Sequence, residues 1–223
     1  MGLSMRDLII IGAGGLGCEV AWTVERINTA AGAPVTAAGA PVWNVLGFAD
    51  DDPDRTSSSF AGYPMLGDPS TALSERLDAA VFVAIGNNQT RAKVVARFSD
   101  REFPILVDPT AQVAPSVTLR KGAYVAAQAV VSVGSDLGAF VIVNARAGVG
   151  HDCLVGDYSS VCPGVSLSGH TTLGAFVLMG TNSCTVPGIS IGEGATVSAG
   201  TPALRNVSAG TTLSPFGTLK NLI

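Results

Sequence analysis

From Val113 to Ala203 the chain repeats itself every six residues. Sampled at that step it reads Val113, Leu119, Val125, Val131, Leu137, Val143, Val149, Val155, Val161, Leu167, Leu173, Met179, Thr185, Ile191, Val197 and Ala203. Fourteen of these sixteen positions carry a large aliphatic residue or Met. Two residues before each, from Ala111 to Thr201, every residue is small or β-branched. Six residues suffice for one short strand and a tight turn, so a fixed period of this kind predicts a solenoid. The aliphatic residue points into a narrow interior and the small one fits a crowded corner. The glycine that follows the aliphatic residue, as at Gly138, Gly150, Gly156 and Gly174, is expected to permit the turn. Three units close a triangular coil of about 18 residues, and coils stack about 4.8 Å apart through backbone hydrogen bonds. About five coils are expected. A β-sandwich would not keep one period for so long.

The repeat bears on an uneven charge distribution. Residues 1–110 hold 8 basic and 13 acidic side chains, whereas residues 111–223 hold 5 and 4. Flat β-faces this poor in charge are an association hazard unless covered. A symmetric homotrimer, matched to a triangular prism, is therefore expected to bury them. With 13% charged and 47% hydrophobic residues, disorder is excluded. The formal net charge of −4 leaves no basic excess for nucleic acid. The apolar run Leu8-Ile9-Ile10-Ile11 is far too short to span a membrane. No signal-peptide pattern precedes it, and Cys18, Cys153, Cys162 and Cys184 form no CxxC. Reduced thiols in a cytoplasmic protein are expected.

The first part reads as α/β. Leu8–Ile11 is a strand buried on both faces. It leads through Gly12-Ala13-Gly14-Gly15-Leu16-Gly17 into a helix over 18–27, with Val20, Val24 and Ile27 at helical spacing. Strand, glycine turn and helix make an anion site, because glycine lets a phosphate approach the backbone and the helix start supplies N–H donors. Residues 28–41 read as a loop insertion. Val42–Ala49 reads as a second strand ending in Asp50-Asp51-Asp52-Pro53, an acidic cluster suited to a ribose or a base edge. Ala80–Ile85 reads as a third strand, running into Gly86-Asn87-Asn88 and a helix with Arg91 and Lys93. Pro104–Val107 reads as the last strand of this domain. The expected division is a Rossmann-like half domain over 1–108 and a hexapeptide-repeat solenoid over 109–223.

Only two histidines are present, both in the solenoid. His151 follows the interior Val149 and Gly150, so its imidazole is expected to point outward, with Asp152 beside it to orient it. Gly169, one coil further on, is expected to stack on His151, and Asn144 on the preceding face is expected to join the same strip. A base, a carboxylate, an amide and a glycine N–H are the groups acyl transfer requires. His170 is expected to be peripheral.

The combination of Gly12-Ala13-Gly14-Gly15, Gly47-Phe48-Ala49-Asp50-Asp51, Ala84-Ile85-Gly86-Asn87-Asn88 and His151-Asp152-Cys153-Leu154-Val155-Gly156-Asp157-Tyr158 resembles the sialic-acid O-acetyltransferase-like (NeuD/PglD-type) family. That family includes bacterial nucleotide-sugar N-acetyltransferases, and the resemblance spans nearly the whole chain. It implies a left-handed parallel β-helix, a hand the repeat does not show. It also implies a homotrimer, acetyl-CoA as co-substrate and a nucleotide-linked amino sugar as acceptor. By position, His151 resembles the family's general base and Asp152 its acidic partner. Asn144 resembles an acceptor contact and Gly169 the amide donor to the thioester oxygen. Gly14, Asp50, Asp51 and Asn87 match the nucleotide end, and Thr181 and Ala199 the groove for the pantetheine arm. Three departures stand out: Leu16 replaces a glycine-loop histidine, Ser160 replaces a second histidine nine residues after the base, and the tail reads Ser214-Pro215-Phe216-Gly217-Thr218-Leu219-Lys220.

The expected activity is thus acetyl transfer to a nucleotide-linked amino sugar. A sugar hydroxyl as acceptor, as in sialic-acid O-acetylation, and a non-catalytic nucleotide-sugar-binding scaffold are the alternatives. A nicotinamide-dependent oxidoreductase has no need of a solenoid. A metal hydratase of the γ-carbonic-anhydrase kind needs three histidines where this chain has two, so no metal is expected.

Overall fold

The computed structural model describes residues 5–31, 42–52 and 57–220. The chain divides into two compact units, residues 1–104 and 105–223.

The first unit is built on a three-stranded parallel sheet in the order β2-β1-β5, with β1 at Met5–Ile11, β2 at Val42–Ala49 and β5 at Ala80–Val83. The central strand is flanked on both sides, and Leu8, Ile9 and Ile10 are fully buried, as an unbroken apolar run demands. Helix α1 (Gly15–Ala31) follows β1. It continues four residues past the sequence expectation, through Asn28, whose side chain exchanges two hydrogen bonds with the Trp43 backbone (2.7 and 2.8 Å). The rest of the expected insertion, residues 32–41, and Pro53 lie outside the described residues. A short hairpin of β3 (Ser59–Phe60) and β4 (Tyr63–Pro64) and helices α2 (Pro69–Ser74) and α3 (Asn88–Arg97) complete the unit.

Leu106–Val107, expected as the last strand of the first domain, pairs instead with Tyr124–Val125. It is the first strand of the solenoid, one period before Val113, and the backbone bonds it makes decide its membership. The solenoid has three parallel sheets. One runs from Gln112–Val113 to Pro202–Ala203, one from Thr118–Leu119 to Ser190–Ile191, and one from Leu106–Val107 to Thr211–Ser214. Partners are 18 residues apart, as in Val131 with Val149 and Leu137 with Val155, until the last coil, where Thr196 pairs with Thr212 at a spacing of 16. The stack reaches about six coils rather than five, because Val107 and the 211–214 strand extend it at either end. This architecture agrees with a left-handed parallel β-helix. The tail closes the third sheet: Gly217–Lys220 folds back antiparallel on Thr211–Ser214.

The interior matches the period. From Val125 to Ala203 every sixth residue is buried, and so is every residue two before it. The turn chemistry differs from the expectation. Fourteen consecutive positions six apart, from Gly122 to Gly200, have φ between +56° and +75°. They lie three residues before the aliphatic one. Glycine fills six of them, while residues such as Asp152, Tyr158, His170 and Asn182 fill the other eight. The glycines after the aliphatic residue answer a different need. A Cβ on Gly150 would lie 2.7 Å from both Gly169 N and Leu167 O, and one on Gly174 would lie 2.6 Å from Glu193 N. Close stacking of the next coil, not turn geometry, requires them.

Candidate active site

His151 leaves the solenoid at the corner after Gly148–Val149. Its Nδ1 faces Asp152 Oδ2 at 2.8 Å, and both side chains are about half exposed. A carboxylate is acceptor-only, so in the neutral ring the proton sits on Nδ1 and Nε2 is left as the acceptor. Nε2 has no hydrogen-bond partner among the described residues. Beneath the ring lies Gly169, where a Cβ would sit 2.6 Å from Cε1 and 2.9 Å from Cδ2 of His151. Only glycine leaves the imidazole its place. The Gly169 N–H also has no acceptor among the described residues. A base lone pair and an unused backbone donor thus adjoin at one corner.

His170 is not peripheral. It stacks on Asp152, 18 residues earlier, and its Nε2 is 3.9 Å from Asp152 Oδ2. Its ring meets that of His151 edge to face with centroids 4.9 Å apart, and its backbone N–H donates to the His151 carbonyl at 2.9 Å. The same 18-residue step that places Gly169 under His151 places His170 on Asp152, so the signal was in the spacing.

Asn144, Thr181 and Ala199 stand elsewhere. They follow strands of the third sheet, at the corner one face before His151. The Asn144 amide is turned onto its own corner, accepting from Ala145 N at 2.7 Å. The strip expected to hold Asn144 beside His151 therefore holds His151, Asp152, Gly169 and His170 but not Asn144, because six residues separate successive corners and not points on one corner. Thr181 and Ala199 are 18 apart and exposed, joined by the Gly200 N–H bond to the Thr181 carbonyl (2.8 Å).

Behind Gly169 sits a polar network that sequence reasoning missed. Thr185 breaks the aliphatic series. Its hydroxyl accepts from Ser168 N (2.9 Å) and touches the Thr171 hydroxyl (2.9 Å), while Ser168 Oγ donates to its carbonyl. Strand pairing there shrinks to Ser166 with Cys184 alone, since the Ser168 N–H goes to a side chain. The buried Cys153 thiol, which burial pushes up in pKa, donates to Ser168 O.

In the first unit, the loops after β1, β2 and β5 leave the same edge of a parallel sheet, where such folds bind ligands. Asp50 Oδ2 accepts from Ala13 N at 2.7 Å and Oδ1 from Asp52 N at 3.0 Å. Its carboxylate thus ties the acidic turn to the glycine loop. Gly12 and Gly17 are required by packing: a Cβ would lie 2.7 Å from Ala84 O at the first and 3.1 Å from the Phe48 ring at the second. Gly14 and Gly15 face open space, with nothing within 4 Å of a Cβ at either. Asn87 caps α3, accepting from Thr90 N at 2.9 Å. The buried Arg91 braces this loop through the Ile85 carbonyl at 2.7 Å. Asp51 pairs with Arg97 at 3.2 Å, a partner not anticipated from sequence.

Residues 7–98 match the family model for the PglD N-terminal domain. The acetyltransferase domain of PglB from Neisseria gonorrhoeae, solved with acetyl coenzyme A, is 32% identical over 96% of this chain and 98% of its own, with a TM-score of 0.82. A histidine variant of perosamine N-acetyltransferase from Caulobacter crescentus, solved with CoA and GDP-perosamine, is 26% identical over 98% of each chain, with a TM-score of 0.83. WeeI from Acinetobacter baumannii, at 23% identity over 96% of this chain and 99% of its own, shares the fold with a TM-score of 0.81. The chain belongs to the sialic-acid O-acetyltransferase-like (NeuD/PglD-type) family of sugar acetyltransferases.

Proposed function

We propose that this protein transfers an acetyl group from acetyl-CoA to the amine of a nucleotide-linked amino sugar, with His151 as general base. The observation that carries this reading is the His151–Asp152 pair at 2.8 Å, with an unbonded Nε2 above Gly169. Asp152 holds the Nδ1–H tautomer and stabilises the imidazolium that forms. Nε2 takes the amine proton as nitrogen attacks the thioester carbonyl. Gly169 N–H donates to the oxygen that gains negative charge. His151 then returns the proton to the departing CoA thiolate. The acetyl coenzyme A complex of one relative and the CoA complex of another support the donor, and the GDP-perosamine in the second supports a nucleotide-linked amino sugar. Gly14, Asp50, Asp51 and Asn87 are assigned to its nucleotide end. The cytoplasm, which supplies acetyl-CoA, is the compartment assigned.

Asn144, as an acceptor contact, and Thr181 and Ala199, as the pantetheine groove, lie on a different corner from His151. One copy therefore does not close the site. Corners of neighbouring copies do so in a homotrimer, which is the assembly proposed.

The test is CoA release from acetyl-CoA with a panel of nucleotide-linked amino sugars. Turnover is expected with an amine acceptor, and His151→Ala is expected to lower kcat by about 10²–10⁴-fold. Undiminished turnover in that variant overturns the base. Turnover with hydroxyl acceptors alone overturns N-acetylation in favour of O-acetylation.

A further inference from the structure

His151, Asp152 and His170 place two imidazoles and a carboxylate on one exposed corner, with one ligating atom from each within 4.8 Å of the others. The solenoid builds this arrangement in columns. Asp152 and His170 are successive members of one column, both in the left-handed conformation, at φ +56° and +58°. The members on either side are Gly134 and Gly188. A Cβ at Gly134 would collide with the Asp152 carboxylate, and the space at Gly188 is open. The column is thus cleared around its two donors. His151 enters from the adjoining column, raised over Gly169. The carboxylate lies between the imidazoles, 2.8 Å from His151 Nδ1 and 3.9 Å from His170 Nε2. Tetrahedral zinc, with bonds of about 2.0–2.1 Å, needs donors about 3.3 Å apart. The two separations bracket that value and all three donors lie within 4.8 Å of one another, so rotation of the exposed side chains is what closes the set around an ion.

We propose that His151 Nδ1, Asp152 and His170 Nε2 form a three-ligand site for a divalent ion of zinc character, and that its occupancy switches off the base. Two imidazoles and one carboxylate suit zinc and not the hard, all-oxygen magnesium ion. Zinc on Nδ1 replaces the proton there. The neutral ring then carries its proton on Nε2, which no longer accepts one. The inhibitory consequence rests on His151 being the base, whereas the binding does not.

Binding is measured first, by calorimetry with Zn²⁺ alone and by visible absorption with Co²⁺ as a spectroscopic substitute. One ion per chain is expected. His170→Asn and Asp152→Asn are each expected to weaken binding by at least about tenfold, the lower end of what losing even an outer-shell partner of a ligand costs. Asn is tolerated at positive φ, and circular dichroism checks that the variants fold. Equal zinc affinity in wild type and both variants, or a Co²⁺ spectrum that ignores the substitutions, overturns the site. Turnover is measured second. Zn²⁺ is expected to inhibit the wild type, EDTA to restore it, Mg²⁺ to have no such effect, and His170→Asn to need correspondingly more zinc. Binding without inhibition overturns the switch and leaves the site standing.

Discussion

His151 and Asp152 were readable because they are neighbours at a known phase of the repeat. One backbone turn fixes their separation, and no distant segment is needed. Gly169 was readable for a related reason, since 18 residues is one coil. Gly169→Ala is expected to displace the imidazole and lower kcat by about 10²-fold or more, the order lost with an oxyanion donor or a misplaced base. Its thermal midpoint should move little, because the collision is with the end of an exposed side chain, and steady-state kinetics beside a melt separate the two. The cysteines offer a second check. Burial pushes the Cys153 and Cys162 thiols up in pKa, so less reactive thiolate exists at neutral pH. Both should alkylate more slowly than an exposed thiol at about pH 8, and at equal rates after unfolding, as mass mapping would show.

Within the elements, the period located nearly every strand of the solenoid but misassigned the work of its glycines. A glycine after the aliphatic residue and a glycine three residues before it look alike in a string of letters. The first lets the next coil approach; the second relieves a left-handed turn. Gly150→Ala would set a Cβ 2.7 Å from two backbone atoms, and overpacking of this kind costs about 1–3 kcal/mol. Gly188→Ala meets nothing within 4 Å and costs only the left-handed term, about 1 kcal/mol. Chemical denaturation should rank Gly150→Ala as the less stable of the two. Where a bulky residue takes the left-handed position, packing offsets the strain. Phe140, Tyr158 and Phe176 stack in one column with centroids 5.1 and 5.2 Å apart, and aromatic pairs contribute about 0.5–1.5 kcal/mol each. The lapse at Thr185 has a comparable logic, since its hydroxyl is matched by Ser168 and Thr171 across coils.

At the scale of the whole molecule, the low charge of the second unit has a structural counterpart. Val130 and Leu154 stand exposed on its first and second sheets, at 43% and 51%. In the proposed trimer such side chains are covered. Leu154→Arg is expected to shift the protein from trimer to monomer in light scattering, and to lower turnover although His151 is untouched. A trimeric, fully active variant would count against assembly through that face. The sequence alone determined the solenoid, its coil length, its buried positions and the pairing of His151 with Asp152 and Gly169. Each of these follows from local spacing multiplied along one axis. Tertiary structure decided what spacing does not encode. It assigned Leu106–Val107 to the solenoid through the bonds that strand makes. It bound the Asp50 carboxylate to the glycine loop across 37 residues. It separated Asn144 from His151 by a corner, and it brought His170 onto Asp152. These depend on which polar group meets which in space, and hydrogen bonds between distant residues leave no period in the chain.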